Sequence, residues 1–327
     1  MSGASRLQVA SSLLKLILRK PIKTLATLRK ILNDPDRWRY FQVLPYAQQL
    51  LETDTDYIHA HFADDNLCYT AILSEWTNIP FGFTAHGYDL RDAPIGIENL
   101  KTLADKAHSV VTVSEFNKRL MIEKYSLNAE QIYVAYNGIR IEIFIPEHQN
   151  NKNNCIKLLN VGRLVPVKGQ DILLEAIAKV IAKGHQVQLR IIGEGASRKK
   201  LEEQINRLNL QEYVQLLGAG SQEEVKKYLA ETDVFVMPSR SESFGVACIE
   251  AMAMGVAVIA SDAGGLPEVV EYQKTGLLFS SENIDELVEA IIFMIKNEKL
   301  RLEMGVKGRE RVLNYFTREI VTMGLLK

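Results

Sequence analysis

Two glutamates with seven residues between them, Glu242 and Glu250, bracket the stretch of sequence best equipped for chemistry. The stretch reads SRSESFGVACIEAMAMGVAVIASDAGG and runs from Ser239 to Gly265. Either carboxylate can accept hydrogen bonds from sugar or ribose hydroxyls. Between them lie Ser243, Phe244 and Gly245, where a helix is expected to begin. Unpaired amides and the macrodipole favour an anion at such a point, and glycine lets a phosphate approach the backbone. Eight helical steps from Glu242 to Glu250 would span about 12 Å, comparable to a sugar diphosphate with its ribose. Acid, anion cradle and acid in that order suit a nucleotide-sugar. Taken alone, the two glutamates are more simply a solvated helix residue and an ordinary loop charge.

A second group lies some eighty residues earlier, in NVGRLVPVKGQDILLEA. Gly162 lets the chain turn off a strand, and Arg163 and Lys168 follow on the loop. Their two cations suit a leaving diphosphate, a task other enzymes give to a metal. In isolation they are more simply two surface cations. Gly193 in IIGEG and Gly218 in LLGAG end further strands, but no full G-x-G-x-x-G is present to mark a dinucleotide site. Farther upstream, His86 in FTAHGYDL closes a strand. His59 and His61 share a strand face, a spacing compatible with metal ligands. No third ligand of suitable spacing accompanies them, so they are read as cleft-wall or packing residues and no metal is expected.

The elements that must position these residues alternate along the chain. Val234–Met237 is a strand stopped by Pro238; a helix is expected from Phe244 to Met254, and another strand from Val256 to Ala260. Strands are likewise expected at 57–62, 80–85, 109–113, 132–136, 156–161, 187–192, 214–217 and 277–279. Helices fall between them, and Ser114 is placed to cap the one at 115–125. Such alternation predicts α/β units with mainly parallel, helix-covered sheets. The polar cluster HQNNKNN, His148–Asn154, marks a linker, giving domains 1–150 and 151–327.

Composition narrows the function class. The chain has 327 residues, 47% of them apolar and 24% charged, with a net charge of −1, long enough for two ordinary domains and without a nucleic-acid signature. Residues 1–33 nevertheless carry seven basic residues and no acid, so that the other 294 hold 32 cations against 40 acids. The helical, basic stretch 7–32, divided by Pro21, has the pattern of a helix pair able to lie on an anionic membrane, or of domain helices with solvated lysines. Cys68, Cys155 and Cys248 lie far apart without a C-x-x-C pair, which fits a reducing cytoplasm. No apolar run approaches the roughly 20 residues that span a bilayer.

ESFGVACIEAMAMGVAVIASDAGGLPEVV resembles the donor-site signature of retaining glycosyltransferases of family 4, which have the GT-B fold of two Rossmann-like domains facing across a cleft. VGRLVPVKGQDILLEA resembles the same family's diphosphate loop, and FTAHGYDL the segment whose histidine lies beside the transferred sugar. The resemblance covers Tyr57 to Tyr315. It implies transfer of a glycosyl group, with retention, from a nucleotide-diphosphate sugar, UDP-linked in the commonest case, to a saccharide or lipid-linked acceptor. No cofactor is implied. By that resemblance Glu242 meets sugar hydroxyls, Glu250 the ribose diol, Arg163 and Lys168 the diphosphate, and Gly162, Gly193 and Gly218 line the donor pocket. Family members usually begin with a strand and a Gly-containing loop, which this chain lacks ahead of its basic stretch. Loss of those elements would leave acceptor binding, rather than donor binding, in question. A catalytically silent or partner-dependent nucleotide-sugar module, and a GT-B epimerase or phosphorylase, are the competing expectations. A role in cell-surface polysaccharide synthesis, with cytoplasmic location and inner-membrane contact through residues 6–33, follows from the basic N-terminus and the resemblance together.

Overall fold

The structure, a computed structural model, describes residues 6–31, 37–146 and 155–325. The chain divides into two compact units, 1–134 and 135–327. The expected linker, His148–Asn154, lies outside the described residues. Residues 135–146 pack with the second unit: Ile139 bridges to Thr317, and the Phe144 carbonyl accepts a bond from Arg309 Nη1 at 2.9 Å.

The first unit is built on four parallel strands in the order β1 (Ile58–His61), β2 (Phe81–Ala85), β3 (Ser109–Thr112) and β4 (Ile132–Val134). Helices Asp65–Thr77, Ile97–Lys106 and Glu115–Tyr125 cross over between them. Phe83, Leu67, Leu100, Val110, Met121 and Tyr125 form its core. Ser114 caps the helix after β3 as expected, its hydroxyl accepting the Asn117 amide at 3.1 Å. Pro21 divides the N-terminal stretch into helices Arg6–Arg19 and Pro21–Ile31. Leu16 and Ile31 of these pack with Leu44, Ala47 and Trp76 in a second cluster.

The second unit is a six-stranded parallel sheet. Its strands are β5 (Ile156–Val161), β6 (Val187–Ile192), β7 (Val214–Gly218), β8 (Val234–Met237), β9 (Ala257–Ser261) and β10 (Gly276–Phe279), in the order β10-β9-β8-β5-β6-β7. Val234–Met237 and Ala257–Ser261 are buried at every residue, as in strands covered on both faces. Val234 and Val236 share a core with helices Gln170–Ala182 and Ile284–Lys296. Met237 points to the opposite face, where its sulfur meets Cys248 of helix Val246–Ala253 at 3.5 Å. After β5 the chain winds outward one way and after β8 the other. The carboxyl ends of these two neighbours are therefore a topological switch point, where open α/β sheets bind ligands.

Candidate active site

At that switch point β5 and β8 pair through Leu158–Val234 and Leu159–Phe235. Beyond them the buried Asn160 carries the link, donating from Nδ2 to the Val236 carbonyl at 2.8 Å. The loops leaving the two strands bring Lys168 and Glu242 together, Nζ to Oε2 at 2.5 Å, with both side chains largely shielded from solvent. The resemblance implies separate duties for these residues. In the structure they are one charge pair, and Glu242 Oε1 also accepts the Ser243 amide at 3.2 Å.

The pair is braced by contacts that long sequence separation conceals. Arg240 bonds Asp171 through both Nη1 (2.9 Å) and Nη2 (2.8 Å), and it reaches Glu282 at 2.8 Å and the Pro166 carbonyl at 2.5 Å. Its amide donates to the Val167 carbonyl at 2.8 Å. One guanidinium thus ties the 3-10 turn Pro166–Lys168 to the loop that carries Glu242. This fork geometry is one that lysine does not provide. Two glycines close the frame by contact. A Cβ on Gly169 would sit 2.0 Å from the Pro238 carbonyl oxygen, and one on Gly264 would sit 1.9 Å from that of Glu242.

The helix after Glu242 begins at Val246, with Gly245 as its N-cap at φ +100. The expected start at Phe244 is therefore corrected, and only the last part of the Glu242–Glu250 spacing is helical, so the 12 Å estimate does not apply. Phe244 is displaced because its ring is buried, 5.4 Å from both Tyr136 and Phe316. What it offers a ligand is its backbone. Glu250 lies inside the helix, half-buried, and burial pushes its carboxyl up to about 7 against a weaker opposing hydrogen bond from Gln222. Arg163 is exposed and makes no ion pair among the described residues. Gly162 and Gly193 meet through their backbones. A Cβ on Gly193 would fall 1.9 Å from the Gly162 oxygen, and the Gly193 amide donates to the Gly218 carbonyl at 2.7 Å. The three glycines thus hold the ends of β5, β6 and β7 close together.

In the first unit His86 follows β2, with its Nε2 3.0 Å from His61 Nδ1 and its ring 4.6 Å from that of Phe62. His59 Nε2 bonds the Thr84 hydroxyl at 2.8 Å. Burial lowers the pKa of His86, opposed by Asp89 and aided by His61. Burial likewise lowers His59, with His61 and His86 adding to it. The His61–His86 bond needs at least one neutral ring. No group of three histidine, cysteine or acidic side chains suited to a metal occurs among the described residues.

A family model described as glycosyl transferases group 1 matches residues 142–311, and one described as glycosyltransferase family 4 matches residues 18–143. An uncharacterized glycosyltransferase of Methanocaldococcus jannaschii is 34% identical over 285 residues, which are 86% of this chain and 77% of that one. The chain belongs to glycosyltransferase family 4. A GDP-mannose-dependent alpha-(1-6)-phosphatidylinositol monomannoside mannosyltransferase of Mycobacterium tuberculosis is 33% identical, the match covering 70% of this chain and 64% of its own. Among solved structures, Anabaena HepE in complex with UDP and glucose superposes with a TM-score of 0.76 at 25% identity, covering 87% of this chain and 81% of its own. Both units have the parallel, Rossmann-like build of GT-B enzymes.

Two residues of this glycosyltransferase escape sequence reasoning. Arg240 is an ordinary loop cation until Asp171 is placed beside it. Asp89 is fully buried in a short helix, Tyr88–Asp92, that the alternation pattern passes over. Its carboxylate accepts the amides of Ala63 (2.7 Å), His86 (3.0 Å) and Gly87 (2.6 Å), binding the loops after β1 and β2 into one unit. The one local signal is an acid in the first turn of a short helix, from which a side chain can reach back to the amides ahead of it. None of the described helices is long and apolar enough to cross a membrane.

Proposed function

We propose that this glycosyltransferase transfers a hexosyl group, with retention, from a UDP-sugar to a saccharide or lipid-linked acceptor in cell-surface polysaccharide synthesis. The observation that carries the reading is the Lys168–Glu242 pair at the switch point, beside the N-terminus of helix Val246–Ala253. A diphosphate arriving there meets the Lys168 ammonium, the Arg163 guanidinium and the first amides of the helix. Breaking the glycosidic bond leaves negative charge on the departing diphosphate, and these preorganised groups stabilise it as it develops. Glu242, released from part of its pairing with Lys168, accepts hydrogen bonds from hydroxyls of the sugar. His86 acts in the transfer step, in its neutral form. With the charge met by side chains and amides, the reaction proceeds without a metal. The protein is placed in the cytoplasm, working at the inner face of the membrane.

Glu250 gives the donor site a pH signature. Its carboxyl is raised to about 7 by burial, so the stability it contributes is complete below the ordinary carboxylate range and is lost as pH rises through about 7. Hydroxyls of a ribose donate to the ionised form and favour it. Binding a UDP-sugar, whose diphosphate is esterified at both ends, should therefore tighten from pH 6 to 8 and release a proton below about pH 7. Calorimetry in buffers of different ionisation enthalpy reads that proton directly. A release that persists in Glu250→Gln would remove Glu250 from the site.

The base is open to a direct contrast, since the mannosyltransferase relatives are named for GDP-mannose and the HepE structures hold UDP. Titrating UDP and GDP into the protein in the presence of a chelator should give micromolar binding of UDP. Turnover should then require added acceptor. Preference for GDP would replace the base but keep the site. Nucleotide binding with no turnover on any acceptor would favour the silent module, and donor conversion without acceptor an epimerase.

A further inference from the structure

Helix Arg6–Arg19 has two apolar faces, and the fold uses one. Val9 and Leu16 are buried against the rest of the first unit. At 100° per residue, Leu7, Leu14 and Leu18 fall within about 40° of one another on the opposite side. They are 84%, 60% and 76% exposed. The next helix, Pro21–Ile31, repeats the arrangement. Thr24 and Ile31 point inward, and Thr24 Oγ1 ties the two helices by donating to the Leu16 carbonyl at 3.1 Å. Ile22 and Leu25 point outward, 86% and 58% exposed. A soluble helix needs no second apolar stripe, and water-facing leucines at this density are unfavourable unless something covers them.

Charge identifies the covering surface. Arg6, Lys15, Arg19, Lys20, Lys23, Arg29 and Lys30 accompany these leucines with no acid in residues 1–33, on a protein whose remainder is net acidic; the one acid lining the grooves beside Leu7 and Leu18 is Glu52. The exposed Arg6 and Lys15 flank the outward stripe of the first helix on its two sides. Outward leucine and isoleucine with basic residues at the margin are the composition of a helix lying in the headgroup region of an anionic bilayer. A second copy of the same surface would set seven cations against seven.

We infer that the outward faces of these two helices, Leu7, Leu14 and Leu18 on one and Ile22 and Leu25 on the other, insert into the surface of an anionic membrane. The inference extends the acceptor reading above but stands on exposure and charge alone. It is tested on the full chain by co-sedimentation with vesicles of phosphatidylcholine, with and without about one-third phosphatidylglycerol, at about 0.1 M salt. Wild type should partition at least about tenfold more strongly to the anionic vesicles. L14E/L18E should lose at least about tenfold of that binding, with its circular dichroism and melting unchanged because both side chains face water. K15E should weaken binding less, and raised salt should remove its effect. UDP titration of L14E/L18E keeps the two readings apart: intact nucleotide binding with lost sedimentation supports the membrane face whatever the sugar donor. Equal binding of wild type and L14E/L18E would overturn the inference. So would a wild-type dimer, made monomeric by L14E/L18E, that ignores both vesicle types.

Discussion

Lys168→Ala is expected to lower kcat/KM by about 10²- to 10³-fold, the scale on which one preorganised charge-stabilising group acts. Two losses combine. The ammonium no longer meets the leaving diphosphate, and Glu242 is left shielded from solvent without the cation 2.5 Å away that balances it. Glu242→Gln, which removes the charge and keeps the shape, should cost a similar factor. Because the two side chains form one pair, K168A/E242Q should be little worse than either single variant, well short of the product of the two effects. Steady-state kinetics of the three variants, with UDP affinity measured alongside, separates the terms. UDP binding should fall in Lys168→Ala and survive in Glu242→Gln. A fully multiplicative double variant would mean that the residues act independently and that the ion pair is incidental to turnover. Near wild-type rates in both single variants would remove the switch-point site altogether.

That pair shows where sequence stops being informative. Both members are legible from the motif, since Gly162 and Pro238 mark the strand ends from which their loops depart. Their contact is not, because it depends on β5 and β8 being neighbours, which is a property of strand order. Strands are legible residue by residue at Ile156–Val161, Val187–Ile192 and Val234–Met237, where apolar-rich runs stop at Gly162, Gly193 and Pro238. The Ala/Met-rich segment after β8 reads as a helix from Phe244, two residues ahead of its start at Val246. The Phe244 ring is instead drawn into a cluster with Tyr136 and Phe316, partners far away in sequence. The short helices at Tyr88–Asp92 and Arg318–Leu325 lack the length over which periodicity becomes a signal. Arg240 and Asp89 are illegible in sequence for a common reason: each is defined by what it joins. Arg240 joins two loops of the second sheet, and Asp89 joins two loops of the first.

Asp89→Ala is expected to destabilise the first unit by about 3 kcal/mol or more. The carboxylate is fully buried and is the acceptor for three backbone amides, Ala63, His86 and Gly87. Alanine leaves all three donors unpaired, at about 1–3 kcal/mol for each buried group. Asp89→Asn keeps one acceptor oxygen but turns an NH2 toward an amide hydrogen, and its loss should be intermediate. Both tryptophans, Trp38 and Trp76, lie in this unit. Trp76 is buried, with its indole N–H bonded to the Tyr40 carbonyl at 3.0 Å. Tryptophan fluorescence under urea therefore reports the first unit. With m of about 1–3 kcal/mol per M, its midpoint should fall by about 1 M or more in Asp89→Ala. UDP binding to the second unit should persist through that transition. Where Asp89→Asn is still folded, turnover should fall further than the folded fraction, because the amides that fix His86 are held less firmly. An unchanged midpoint in Asp89→Ala would mean that water or backbone rearrangement satisfies the three amides, and Asp89 would then have no claim on the position of His86.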